Sequence, residues 1–457
     1  MNSTTSNRHC YDPVLRWNSE VENYFSHAYG ADHFLRISKT LTIPSTYSCI
    51  RVNTLRSTVD EVLEKLRAIL NEKGFENASL SKCEIPGLDY VVFVNGIGPN
   101  AINYDHLLES ELKEVIVSRK CAEAVLRGAQ VFVPGVMACS AHVEKGDRVA
   151  VSVAVEKRNS SGEWAIQMTR GTVLQGSPDD SYYHERTGFY IGQGTTTMSR
   201  AGIFRAVEGI AVDMDTRVFT LPPLHDVLMG EIFLQNLPSI ITAHVLDPQS
   251  GETILDMCAA PGGKTTAIAM LMKDVGQVFA LDRSHNKVLK IQKLAAEMGL
   301  HSIKTFKMDA LKSVRRDNHL VDVNITQNSV LEPFSDAKVP YYQSKESINL
   351  CEGNEKNEND KLYASKALER KTLRKMRNGP GRNQCLGARV QQAKGFDQNS
   401  FDRVLLDAPC SALGLRPRLF AEEETIESLR NHAMYQRRMF DQAVKLVRSG
   451  GVIVYST

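Results

Sequence analysis

The chain has 457 residues, too many for one ordinary hydrophobic core, so two or three domains are expected, and a hydrophobic share of 42% can fill them. Its formal net charge is +2, so bulk charge neither demands nor excludes a polyanionic partner, and any nucleic-acid surface must be local. The start lacks the apolar segment of a secretory signal, no apolar run is long enough to span a bilayer, and none of the nine cysteines forms a CxxC pair, which argues against a membrane span, a zinc ribbon and a dithiol redox site. The expectation is a soluble protein with reduced thiols and no metal, cytoplasmic, with the nucleus left open.

Residues 1–110 mix helical and strand patterns in an α+β N-terminal region. Its clearest helix is predicted over Val59 to Leu70, where Val62, Leu63, Leu66 and Leu70 share a face. A second helix is predicted from Glu111 to Leu126, with Leu112, Val115, Ile116, Ala122 and Val125 apolar, stopping at Gly128. Short strands follow at Val131 to Val136, Asp147 to Val153 and Gly171 to Leu174, separated by Gly, Asp and Ser turns, so residues 111–206 read as a small β-barrel domain.

From about Ser239 the pattern becomes strand, glycine loop, helix, strand, the alternation of a doubly wound parallel α/β sheet within residues 207–457. Strands are predicted at Thr253 to Asp256, Gln277 to Asp282, Lys304 to Asp309, Phe401 to Asp407 and Gly451 to Ser456. Helices are predicted at Thr265 to Lys273, Lys287 to Met298 and Asn431 to Val447. The first four strands each end in aspartate, at the carboxyl edge where such sheets bind ligands. Residues 312–399 are rich in Asn, Ser, Lys, Glu and Gln and read as a mostly disordered insertion. Within it, Lys366 to Arg382 is basic enough to follow a phosphate backbone, although a solvated linker has the same composition.

The most informative stretch is Asp256-Met257-Cys258-Ala259-Ala260-Pro261-Gly262-Gly263-Lys264-Thr265, between a strand and a helix. Small residues let the backbone approach a ligand, and the helix N-terminal amides then face it. A phosphate-binding loop would need glycine at Cys258, and the dinucleotide pattern GxGxxG is absent. Asp282 lies where a ribose diol is bound in related sheets, and Asp309 is placed to accept from an adenine amino group. The expected ligand is an adenosine without a demanding polyphosphate. Any one of these aspartates alone reads equally well as a helix cap.

Together, DMCAAPGGKT and LLDAPCSALG resemble the Nop/Sun or RsmB-type RNA cytosine-5 methyltransferases, over roughly Phe233 to Thr457 without the insertion. Upstream, VLRGAQVFVPGV followed by EKGDRVAV resembles a PUA domain, and this order is similar to the subgroup that methylates tRNA near the acceptor end. The resemblance implies a Rossmann-like class I methyltransferase sheet using S-adenosyl-L-methionine and an RNA partner, tRNA first among them. It implies that Cys258, Ala259, Ala260, Pro261, Gly262, Gly263 and Lys264 form the methionine-side loop, that Asp282 binds ribose and Asp309 adenine, that Asp407 also belongs to the cofactor site, and that Asp407 and Cys410 lie beside the target base. Arg127 would contact the RNA end, although a cation is favoured at a helix C-terminus for its own sake.

Carbon 5 of cytosine is a poor nucleophile until a thiolate adds at carbon 6. In the family a carboxyl group at ring nitrogen 3 suits Asp407, and release after transfer is associated with the cysteine matching Cys410. Lys264 would stand nearby as a positive group that lowers a neighbouring thiol's pKa. Cys10, Cys49, Cys83, Cys121, Cys139, Cys351 and Cys385 match no motif and read as small core residues. The chain departs from the family at its end. The attacking cysteine normally follows the Ser-Thr that here is Ser456-Thr457, and two final strands are missing. A truncated form is expected, lacking turnover. A non-catalytic RNA- and cofactor-binding protein is therefore the alternative reading, and a methyltransferase of small molecules or DNA a third, which leaves the barrel domain without a task.

Overall fold

The computed structural model describes residues 8–104, 113–159, 164–166, 168–175, 184, 186, 188–315 and 395–457. The α/β sheet has five parallel strands in the order Ile303–Lys307, Gln277–Asp282, Thr253–Asp256, Phe401–Asp407, Val447–Ser456. Strand order reverses between Thr253–Asp256 and Phe401–Asp407, so Asp256 and Asp407 end the two strands that flank the switch point, where a crevice forms. Continuous apolar strands demand cover on both faces. Leu255, Val404 and Leu406 pack with Met439, Ala443 and Leu446 of the helix Ile426–Leu446. Ile254, Val278 and Leu405 turn the other way, onto Ala243, Ala267 and Ile268 of the helices Leu237–Val245 and Gly263–Leu271.

Two of the expected strands shift. The third ends at Lys307, and Asp309 instead caps a short 3-10 turn, Ala310–Lys312, by accepting from the Leu311 N–H at 3.0 Å. The fifth begins at Val447. Most of the expected insertion, with its basic segment, Cys351 and Cys385, lies outside the described residues. Its flanks are pinned: Phe396 donates to Ser313 O at 2.7 Å and accepts from the Arg315 N–H at 2.7 Å.

The helix predicted from Glu111 to Leu126 is half strand. Glu114–Val117 runs fully buried between Val136–Ser140 and Arg148–Val153, and only Arg119–Leu126 is helical, N-capped by Ser118. The β-branched run Val115-Ile116-Val117 suits a strand buried on both faces, which helical periodicity had masked. Pro134, unable to donate to a ladder, breaks the strand predicted from Val131 to Val136 into Val131–Phe132, a 3-10 turn and Val136–Ser140. The seven-stranded sheet of this domain also takes Tyr190–Thr196 and Ile210–Arg217, so it runs past residue 206.

The N-terminal region is built around an antiparallel sheet in the order Ile232–Leu234, Tyr47–Val52, Val91–Asn95, Leu80–Lys82. Its helix Val59–Glu72 opens with a reciprocal capping box between Thr58 and Glu61 and buries Val62, Leu63, Leu66 and Leu70 against Ile50, Val52, Val92 and Val94. One of the four strands thus arrives from beyond the seven-stranded domain, outside residues 1–110. The two connectors run side by side: Ile97 and Thr220 exchange backbone bonds at 2.9 and 2.8 Å, and the Asn100 N–H donates to Val218 O.

Candidate active site

Asp256 ends its strand almost wholly buried, with 1% exposure. Its carboxyl group accepts from Thr265 Oγ1 at 2.8 Å and from the Cys258 N–H at 3.4 Å, so it ties the strand tip to both ends of the glycine turn. Burial pushes this carboxyl group up to about 7, against the opposing bond from Thr265. An aspartate with a raised folded pKa stabilises the fold below its unfolded value, near 4, and loses that contribution as the pH rises through about 7. Relative to Asp256→Asn, whose amide does not titrate, the wild type is expected to lose stability between about pH 4 and about pH 7. Urea melts across that window measure the difference, and parallel pH profiles for the two proteins contradict it.

Gly262 has φ +111° and is the N-cap residue of the helix Gly263–Leu271, with no side-chain cap on the amides that follow. A β-carbon there would press on Leu294 and Ile291 at 3.3–3.4 Å, and one on Gly263 would meet the Phe233 ring at 3.0 Å. The glycines thus let neighbouring elements close around the turn. Behind it lies Arg51, wholly buried. Its Nε donates to Gln235 Oε1 at 2.9 Å and its Nη2 to Thr266 Oγ1 at 2.8 Å and Gly263 O at 3.4 Å. Burial lowers its pKa to about 10, so it stays charged at neutral pH. No motif marked Arg51; the only trace is a charge among the apolar Cys49, Ile50 and Val52 of its strand.

Lys264 Nζ donates to Asp407 Oδ2 at 2.7 Å and to Ser239 Oγ at 3.2 Å. Asp407 Oδ1 accepts from Ser456 Oγ at 2.9 Å. The pair is partly buried, at 15% and 31% side-chain exposure, and it fastens the glycine turn to the Asp-Ala-Pro-Cys turn across the switch point. Cys410, three residues beyond Asp407, is exposed. Gln436 was not foreseen. Its amide donates to Pro409 O at 2.9 Å and to Thr457 Oγ1 at 3.0 Å and accepts from the Tyr455 hydroxyl at 2.7 Å, so it holds the turn before Cys410 against the last strand.

The remaining residues separate. Asp282 ends its strand and spends one oxygen on the Ser284 N–H at 2.8 Å. Asp309 lies two residues beyond the adjacent strand. Burial and the carboxylates of Asp256, Asp282 and Asp407 push the Cys258 thiol up. Arg127 is exposed at the C-cap of Arg119–Leu126, its Nη1 3.5 Å from Arg416 O. Cys49, Cys83 and Cys139 are buried, whereas Cys10 is exposed rather than a core residue. Among the described residues no cluster of His, Cys, Asp and Glu is arranged to hold a metal, and no helix is long and apolar enough to cross a membrane.

This arrangement recurs in known proteins. The family model described as 16S rRNA methyltransferase RsmB/F matches residues 243–359 and 366–457, and the PUA domain model matches residues 113–156. The chain is 60% identical over 477 residues to the rRNA (cytosine-C(5))-methyltransferase NOP2C of Arabidopsis thaliana, spanning all of this chain and 80% of that protein. The chain belongs to the RsmB/F family of RNA cytosine-C5 methyltransferases. Another member, the tRNA (cytosine(72)-C(5))-methyltransferase NSUN6 of Mus musculus, is 31% identical, covering 97% of this chain and 77% of its own. The crystal structure of NSun6 from Pyrococcus horikoshii with SFG superposes with a TM-score of 0.62 at 26% identity, over 97% of this chain and 83% of that one. The PUA domain and the Rossmann-like sheet of this RsmB/F member accordingly stand in the order that the motifs implied.

Proposed function

We propose that the chain transfers the methyl group of S-adenosyl-L-methionine to carbon 5 of a cytosine in RNA, a tRNA near its acceptor end being the preferred substrate. The Lys264–Asp407 bond of 2.7 Å carries this reading, because it joins the turn suited to the donor to the turn suited to the base. The residues present fit the donor. The helix after Gly262 begins without a side-chain cap, and Asp282 and Asp309 commit one oxygen each to the backbone, which leaves acceptor capacity for ribose hydroxyls and an adenine amino group. Cys258, Ala259, Ala260, Pro261, Gly262, Gly263 and Lys264 would hold the methionine end. When bound, the donor supplies an electrophilic methyl group.

Asp407 holds the cytosine ring at nitrogen 3, and Lys264 keeps that carboxyl group in place. In the family the thiolate that adds at carbon 6 belongs to the residue following the Ser-Thr matched by Ser456-Thr457, and Cys410, exposed on the same turn as Asp407, would take the carbon-5 proton so that the adduct is released. Arg127 contacts the RNA from the PUA domain. The free thiols among the described residues suit a reducing compartment, the cytoplasm or the nucleus.

A relative named for tRNA cytosine 72 supports a tRNA substrate, and a relative of higher identity named for rRNA favours ribosomal RNA as the second reading. Labelled donor supplied with separate tRNA and rRNA pools, followed by bisulfite mapping, decides. Label near the tRNA acceptor end is expected, label in rRNA alone supports the second reading, and label in neither overturns both.

A further inference from the structure

The segment from Leu413 to Glu424 begins three residues after Cys410 and is held on two sides by other parts of the fold. Towards the N-terminal helices, the Arg418 N–H donates to Leu41 O at 2.7 Å, and Ala421 bridges to Trp17. The Arg416 guanidinium donates to Ile43 O at 2.9 Å and to Pro44 O at 3.2 Å. Towards the PUA domain, the Leu419 N–H donates to Glu123 Oε1 at 3.0 Å, and Phe420 meets Trp164 edge-on at 4.9 Å.

At the centre of the second side is Arg119, whose side chain is only 12% exposed. It donates to Glu156 Oε1 at 3.0 Å within the PUA domain and to Glu423 Oε1 at 3.1 Å across the seam, lies 3.8 Å from Glu123, and sits over the Phe420 ring. The segment also reports back to the reacting end: Arg418 Nη2 donates to Ala412 O at 2.5 Å, two residues from Cys410. Two contacts, Arg119 to Glu423 and Glu123 to Leu419, therefore tie the PUA domain to the segment whose Arg418 bonds the turn that carries Cys410.

We propose that Arg119 and Glu423 determine specificity by position: they fix the register between RNA held on the PUA domain and Cys410, so that one nucleotide is presented to the catalytic turn. This rests on the reading of the chain as an RNA methyltransferase. None of these bonds reaches the glycine turn, so loosening the seam changes which nucleotide arrives without changing donor affinity. Both are positioning residues, acting through the turn.

The experiment uses the full chain and tRNA transcripts carrying one 4-thiouridine, moved nucleotide by nucleotide along the acceptor end, with photocrosslinks to the Cys410 peptide measured for wild type, Arg119→Met and Glu423→Gln. Arg119→Met strands three carboxylates and is the variant at greater risk of unfolding; Glu423→Gln relieves like charge and keeps the shape. Wild type is expected to give a peaked profile. In both variants the peak falls at least about fivefold and spreads to neighbouring positions, while tRNA affinity stays within about threefold and donor affinity within about twofold. The double variant spreads no further than Arg119→Met, as for two residues acting through one contact. A profile equally peaked in Glu423→Gln, a yield that falls only in step with tRNA affinity, or a wild type with no peak overturns the proposal. A peaked wild type that methylates no RNA refutes the proposed function and leaves the register intact, so the two failures are distinguishable.

Discussion

In a form extended to the cysteine that in the family follows Ser456-Thr457, replacing Asp407 by asparagine is expected to lower the rate of methyl transfer at saturating RNA by at least about a hundredfold, with donor affinity changed by less than about threefold. The carboxylate is shared between Lys264 Nζ at 2.7 Å and Ser456 Oγ at 2.9 Å, so its orientation is fixed from both sides of the crevice. Asparagine keeps the shape but loses the charge that Lys264 answers, and it cannot exchange a proton with ring nitrogen 3 as a carboxyl group can. Lys264→Met attacks the same unit from the other side. The double variant is expected to be little worse than either single one, because groups that act together are not additive. Initial rates with labelled donor, alongside calorimetric titration of the donor, separate the effects. A fall in donor affinity that matches the fall in rate would show that Asp407 serves the cofactor alone.

The second large effect is on stability. Arg51→Met is expected to cost about 2–4 kcal/mol, since hydrogen bonds from a charged donor contribute about 1.5–3 kcal/mol each and methionine recovers part of the burial. The substitution leaves Gln235 Oε1 and Thr266 Oγ1 without the guanidinium between them, at the base of the helix that follows Gly262. Lysine does not rescue it: one ammonium cannot reproduce the planar fork that reaches Gln235, Thr266 and Gly263 O together. Urea unfolding at constant slope reads the loss, and a shift below about 0.5 kcal/mol would show that water replaces the guanidinium without cost.

The catalytic sheet was legible because its chemistry is local. Thr253–Asp256, Gln277–Asp282 and Phe401–Asp407 are short apolar runs stopped by an aspartate, and the turn from Asp256 to Thr265 is one continuous motif. Arg51, Gln235 and Thr266 meet only because residues about two hundred positions apart fold together, and no periodicity announces such a meeting. Glu114–Val117 was misread because an apolar run buried on both faces carries no alternation, and the helix after it lent it a helical frame. Asp309 was assigned to a strand end, yet it caps the following turn, which is what an aspartate does wherever amides are left bare. Arg119 and Glu423 each look like an ordinary surface charge until the seam between domains brings them within 3.1 Å.

The paired connectors at Ile97 and Thr220 have a consequence for modularity. Because the chain leaves and re-enters the N-terminal sheet through two backbones already stapled to each other, everything between them is a single insertion, held at this neck and again at its seam with Leu413–Glu424. Excising that lobe and bridging the neck with a short turn is expected to leave the strand Ile232–Leu234 still paired with Tyr47–Val52. A different lobe grafted onto the same neck would join the backbone there, but it would also have to supply partners for Glu423, Leu419 and Phe420.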